Sequence, residues 1–180
     1  MNDQKPDLYA LIVGDRAHRI AAALAGQNLE QDRSIRAIAL TDTAQAIFAK
    51  YPVEYRPRES IFQAVTAAGV YLNRFRPEKP WKFLGSEIAS GGCRFDLAFQ
   101  SRQGILIDEL KLGVGRIHEA QIRAQIDRYL VEGRNLWGGE FLGVRLCFVN
   151  EPASSRFYSP LSKRSNLVNL TELADILEIR

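Results

Sequence analysis

Apolar residues are concentrated in three consecutive stretches in the middle of the chain, residues 81–88, 92–100 and 104–112, each bounded by turn-forming residues. Short apolar-rich runs of this length between turn signals predict strands, and three in succession predict a meander. The pattern then changes. In residues 113–133 the apolar positions Ile117, Ile122, Ile126 and Leu130 recur at helical spacing, and Gln121, Gln125 and Tyr129 form a second stripe four residues apart. Residues 141–149 read as a further strand, and residues 168–179 as a short strand or extended piece leading into a terminal helix. Ahead of the meander, residues 60–75 form a predicted helix with Ile61, Val65, Ala68 and Leu72 on one stripe, closed by Arg76-Pro77-Glu78-Lys79-Pro80.

The first 55 residues read differently. The short apolar runs at 8–13 and 35–40 predict buried strands. Residues 16–26 predict a helix stopping at Gly26, and residues 44–51 a helix capped by Thr41 or Asp42 and ended before Pro52. A polar hinge, Arg56-Pro57-Arg58-Glu59-Ser60, follows. The expected organisation is therefore α/β, with a strand–helix–strand–helix extension over 1–55 and a core over 56–180 made of helix, three-strand meander, helix and strand. The extension is expected to lengthen the core sheet. A nucleotide-sensing module is the weaker alternative, because about 55 residues are few for an independent domain, and Gly14-Asp15-Arg16 with its one glycine is poor evidence for a phosphate turn.

Composition narrows the picture only a little. Hydrophobic residues make up 46% and charged residues 25% of the 180, ordinary values for a soluble domain. The net charge of +3 permits a nucleic-acid partner without requiring one. Cys93 and Cys147 both fall inside apolar strand patterns and no CxxC spacing occurs, so neither zinc nor an iron–sulfur cluster is indicated. The N-terminal stretch lacks a signal-peptide layout and no apolar run approaches a membrane span, which sets the expectation of a cytoplasmic protein without a membrane partner. His18 and His118 are too far apart in sequence to form a recognisable ligand pair.

The chemistry concentrates in the meander. Residues two apart on a strand share a face, so Glu109 and Lys111 point the same way and Asp96, on the preceding strand, can lie beside them. Asp108 is sent to the opposite face, where a structural pairing with an arginine is expected. Two carboxylates converging at a strand end repel each other unless a hard cation lies between them. Such a constellation points to Mg²⁺-dependent phosphodiester hydrolysis. Asp96 and Glu109 are the expected metal ligands, joined by the Leu110 carbonyl, with Lys111 placing or helping to deprotonate the attacking water. The bland alternative is a surface hairpin of alternating charge. Arg116, Arg123, Arg128 and Arg134 follow the site in sequence and are candidates for phosphate contact, or for a solvated helix face.

Asp96, then Glu109-Leu110-Lys111, with Arg94 two residues before the Asp, resembles the PD-(D/E)xK nuclease superfamily. Gln125-Ile126-Asp127-Arg128-Tyr129 resembles the QxxxY element of its RecB-type and lambda-exonuclease-type branch, and the likeness spans about residues 59–150. Phe95 stands where many members carry a proline before the Asp. The resemblance implies a restriction-endonuclease-like core, with a mixed sheet flanked by helices, and a Mg²⁺-dependent deoxyribonuclease that accepts Mn²⁺ as a substitute. It implies that Gln125 belongs to the catalytic set and that Tyr129 lies near DNA. It also implies a further acid from the first core helix, for which Glu59 is the best match and Glu87 the alternative. DNA is the expected partner and a homodimer is compatible with this type. The metal chemistry alone does not separate DNA from RNA. The competing reading is a non-catalytic nucleic-acid-binding or assembly subunit on the same fold.

Overall fold

The computed structural model describes residues 8–27, 33–52, 58–113 and 119–160. They fall into two compact units, Met1–Arg74 and Phe75–Arg180. The division lies after the helix at 58–74, whereas the sequence pattern sets it at 55/56.

The described part of the first unit is helical: α1 (Leu8–Ala25), α2 (Arg33–Phe48) and α3 (Arg58–Arg74). The strands expected at 8–13 and 35–40 are instead turns of α1 and α2. The physical reason is phase. Val13 is buried together with Ala17, Ile20, Ala21 and Leu24, a run spaced by three and four that continues through Gly14. Leu40, Ala44 and Phe48 do the same in α2. A six-residue apolar run cannot by itself distinguish a strand from a buried helical turn. The Thr41 cap is likewise replaced. Its hydroxyl donates to the Ala37 carbonyl at 2.9 Å, the back-bond of a mid-helix threonine. Gly14-Asp15-Arg16 lies inside a helix, not a phosphate turn. Asp15 accepts from Arg19, and Arg16 is buried with its guanidinium 4.6 and 4.4 Å from the ring centroids of Phe48 and Tyr51. In α3 the buried side chains are Ser60, Ala64, Ala67, Ala68, Tyr71 and Leu72, so the inward stripe is rotated from the expected one, with Ile61 and Val65 at its margin. Its small residues let the three helices approach closely.

The second unit is built on one five-stranded sheet in the order β1 (Lys82–Ser90), β2 (Cys93–Ser101), β3 (Gly104–Lys111), β4 (Phe141–Phe148), β5 (Arg156–Tyr158). The first three strands pair antiparallel as a meander, β4 runs parallel to β3, and β5 returns antiparallel. The protein is thus α/β with a mixed open sheet. Ser90-Gly91-Gly92-Cys93 closes the first hairpin with both glycines at positive φ, 53° and 80°, as a two-residue hairpin turn requires. A parallel return from β3 to β4 needs a crossover, and α4 (Glu119–Trp137) lies between them in sequence. Ile122, Ile126 and Tyr129 of α4 join Phe95, Ile107, Phe141, Val144, Leu146 and Phe148 in one core cluster. Gly133 permits this approach: a Cβ there would collide with the Phe141 ring. The short β5 has no counterpart in the sequence pattern; three residues carry too little periodicity to read. Residues 161–180, including the element expected at 168–179, lie outside the described residues, as does Arg116.

β3 is central and buried along nearly its whole length. Two adjacent acids sit in it. Asp108 pairs in register with Arg145 of β4, and the guanidinium binds both carboxylate oxygens at 2.6 Å while also donating to the Phe75 carbonyl at 2.7 Å. Removing one partner leaves a buried charge uncompensated, a loss of about 3–5 kcal/mol. Asp108→Asn and Arg145→Met are therefore each expected to lower the unfolding free energy by about that range in urea titrations. The double replacement Asp108→Leu with Arg145→Met should recover much of the loss, a result that a simple sum of the two single effects would contradict.

Candidate metal centre

The centre begins where β2 and β3 separate. Their ladder pairs Ser101 with Gly104, Gln100 with Ile105, and so on to Leu97 with Asp108. One further step of this register places Asp96 opposite Glu109. There the backbone rung is replaced by a side chain: the Leu110 N–H donates to the Asp96 carboxylate at 2.9 Å. Successive residues of a strand direct their backbone groups to opposite neighbours. The Lys111 carbonyl accepts from Val149 on the β4 side, so the N–H and carbonyl of Leu110 face the β2 side, towards Asp96.

Glu109 is 2% exposed. One carboxylate oxygen, Oε1, accepts from Lys111 Nζ at 2.5 Å and from Gln125 Nε2 at 2.8 Å. Gln125 Nε2 also donates to the Tyr129 hydroxyl at 3.0 Å, and that hydroxyl donates to the Arg94 carbonyl at 2.6 Å. This chain of bonds ties α4 to β2 and β3 at the site. The four-residue spacing of Gln125 and Tyr129 is what lets one helix face supply both. Tyr129 also packs its ring edge-on against Phe95, centroids 5.0 Å apart. Burial and the neighbouring Glu109 carboxylate both push the Tyr129 hydroxyl pKa up, so it acts as a neutral hydrogen-bonding group.

Glu109 Oε2 has no hydrogen-bond partner. Among the described residues it is the only buried carboxylate oxygen left so. An orphaned anionic oxygen inside a protein is costly. Asp96 carries a related penalty. Burial first, and then the Glu109 charge, hold its carboxyl well above the usual carboxylate range, against the opposing pull of the Leu110 N–H and Lys111. A divalent cation between the two acids would answer both features, supplying Glu109 Oε2 with a partner and favouring the ionised form of Asp96. The donor set of two carboxylates with a carbonyl on the same edge is oxygen-only, which suits Mg²⁺ or Mn²⁺ and not a thiolate-seeking metal.

The structure thus brings Asp96, Glu109, Leu110, Lys111, Gln125 and Tyr129 together. Asp108 points away to Arg145. Arg123, Arg128 and Arg134 stand exposed on α4, and Gln121 is exposed too. Glu59 is exposed in the first turn of α3, in the other compact unit. Glu87 lies nearer the centre: one of its carboxylate oxygens is within 4.8 Å of one from Asp96, and its Oε2 accepts from Arg94 Nε at 2.5 Å. Sequence reasoning misses the Arg94 carbonyl as the Tyr129 acceptor, because backbone acceptors carry no signature in sequence.

The raised Asp96 carboxyl sets a pH dependence in metal-free protein. Below the ordinary carboxylate pKa both folded and unfolded chains are protonated at this group and its contribution to stability is fully present. As pH rises from there through the raised folded value, the unfolded chain releases the proton first and stability falls. Thermal melts in EDTA should show this decline across that window. Asp96→Asn should flatten it, and Mg²⁺ should counter it in the wild type alone. An unchanged profile in Asp96→Asn would locate the dependence elsewhere. No family model and no curated protein sequence matches this chain, so the reading of the centre rests on its geometry.

Proposed function

We propose that this protein is a metal-dependent nuclease that hydrolyses phosphodiester bonds of DNA. The observation that carries the reading is Glu109: a buried carboxylate with one oxygen fixed by Lys111 and Gln125 and the other unpartnered, at the point where Asp96 replaces a rung of the ladder. The order α3, β1, β2, β3, α4, β4 supports a restriction-endonuclease-like core. No helix among the described residues is long and apolar enough to cross a membrane.

Asp96, Glu109 and the Leu110 carbonyl would hold Mg²⁺. Bound there, the ion would polarise the scissile phosphate and lower the pKa of a coordinated water. The chain's own groups do the rest. Lys111 Nζ, held against Glu109, carries a positive charge on the face shared with the acids, where it can orient the attacking water and offset charge developing on phosphate oxygens. Gln125 fixes the rotamer of Glu109 from α4, leaving Oε2 directed away from its own donors. Tyr129 anchors Gln125 and fastens α4 to β2 through the Arg94 carbonyl. Arg123, Arg128 and Arg134 on the exposed side of α4 would contact backbone phosphates.

The test is incubation of the purified protein with circular and linear DNA, single- and double-stranded, in Mg²⁺, Mn²⁺ or EDTA. Nicking of a closed circle identifies an endonuclease; degradation of linear substrate alone identifies an exonuclease. Asp96→Ala and Glu109→Ala should abolish cleavage, and Lys111→Ala should reduce it by about 10²-fold or more while leaving most DNA affinity. Full activity in both acid variants would remove this site from the reaction. Salt-dependent binding without cleavage of any substrate would favour the non-catalytic subunit.

Affinity should depend on different residues. Replacing Arg123, Arg128 or Arg134 by Ala should flatten the slope of log K against log salt by about one unit for each phosphate no longer neutralised. An unchanged slope in all three variants would make that face of α4 a solvated surface.

A further inference from the structure

Arg156 opens β5, the short strand at one edge of the sheet. Leu146 of β4 pairs with Arg156 across one ladder and with Glu109 across the other. Residues opposite one another in neighbouring strands share a face, so Glu109, Leu146 and Arg156 form one row on the face that α4 covers. Two strand spacings, about 10 Å, separate the backbone of Arg156 from that of Glu109. The bonds of α4 trace the same line. Glu119 meets Arg156 on β5, Gln125 meets Glu109 on β3, and Tyr129 meets the Arg94 carbonyl on β2. Arg156 and the metal centre therefore lie on one diagonal, with the buried, apolar Leu146 between them.

The guanidinium is aimed but not closed. Tyr158, two residues on and on the same face, accepts a hydrogen bond from it, and Glu119 Oε1 accepts from Nη1 at 3.3 Å; both favour the charged form. Arg145 offers the contrast: it is 4% exposed, and its fork is filled by Asp108 and the Phe75 carbonyl. The Arg156 side chain is 34% exposed and that of Glu119 84%, an ion pair of the kind that contributes little to stability. A guanidinium that is charged, oriented by a tyrosine and partly open to water suits a two-pronged bond to phosphate.

Resting on the nuclease reading above, we propose that Arg156 binds a phosphate of the substrate strand beside the scissile one, and so sets the line along which the backbone crosses the metal centre. The phosphate takes the place of Glu119 on the fork, an exchange that costs little because the pair is exposed.

Two substrates test this in Mn²⁺: duplex DNA, and bis(p-nitrophenyl) phosphate, a phosphodiester with no neighbouring phosphate. Arg156→Gln should lower kcat/KM about five- to tenfold more on DNA than on the small diester, the worth of one charge-assisted hydrogen bond at a partly exposed site. The extra loss on DNA should fall on KM. Arg156→Lys, which keeps the charge, should recover part of it, and circular dichroism should be the same for all three proteins. In EDTA, where nothing is cut, Arg156→Gln should flatten the slope of log K against log salt for DNA binding by about one unit, and Arg156→Lys should preserve it. Equal losses on the two substrates would make Arg156 a structural tie between β5 and α4 and overturn the assignment, as would an unchanged KM and salt slope. If wild type cuts neither substrate, the nuclease reading fails; the salt slope, which needs no cleavage, then still decides whether Arg156 touches phosphate.

Discussion

The site depends on a substitution of one hydrogen bond for another. At the end of the β2–β3 ladder, the Leu110 N–H finds its acceptor in a side chain, the Asp96 carboxylate, and not in the neighbouring backbone. Everything around the centre follows from that exchange. The acceptor is fixed by an obligatory backbone donor, so the position of Asp96 is set by the strand itself. The two strands part, which leaves the Leu110 carbonyl on the edge that faces Asp96. And the strand end brings Glu109 opposite Asp96, close enough for each charge to raise the cost of the other.

The surroundings divide that cost unevenly. On one face of β3, Asp108 meets a guanidinium that satisfies both its oxygens, and the pair is closed. On the other, Glu109 meets one lysine and one amide, both on the same oxygen. Neighbouring acids in a single strand thus end in opposite states: one with its hydrogen-bonding capacity filled, one with capacity kept open.

Much of the second unit is legible in the sequence because its signals are local and redundant. Short apolar runs between turn signals, paired glycines at a turn and a change to helical spacing place β1 to β4 closely, and α4 with its end expected at Gly133 where it runs on to Trp137. The shared face of Glu109 and Lys111 follows from alternation alone, and Gln125 with Tyr129 follows from one helical turn. What cannot be read is what depends on partners distant in sequence. The apolar run at 8–13 is a strand or a helical turn depending on whether Ala17, Ile20 and Leu24 continue its phase in space, and packing among three helices decides that. Glu87 is ambiguous for the same reason: Gly85 hints at the bulge in β1, but nothing in that strand announces the reversed φ, 55°, of Glu87 itself.

The Asp108–Arg145 pair has a consequence for assembly of the sheet. β3 carries consecutive acids, and its flanks are almost uniformly apolar, so hydrophobicity alone discriminates poorly between neighbouring alignments of β3 on β4. A shift of one residue would present Glu109 or Ile107 to Arg145 and turn the wrong acid towards α4. Only the native alignment gives the guanidinium its two-pronged carboxylate together with the Phe75 carbonyl. The buried pair therefore acts as an index pin for strand alignment: by rejecting the off-by-one sheets, it decides which of two adjacent acids faces Lys111 and Gln125.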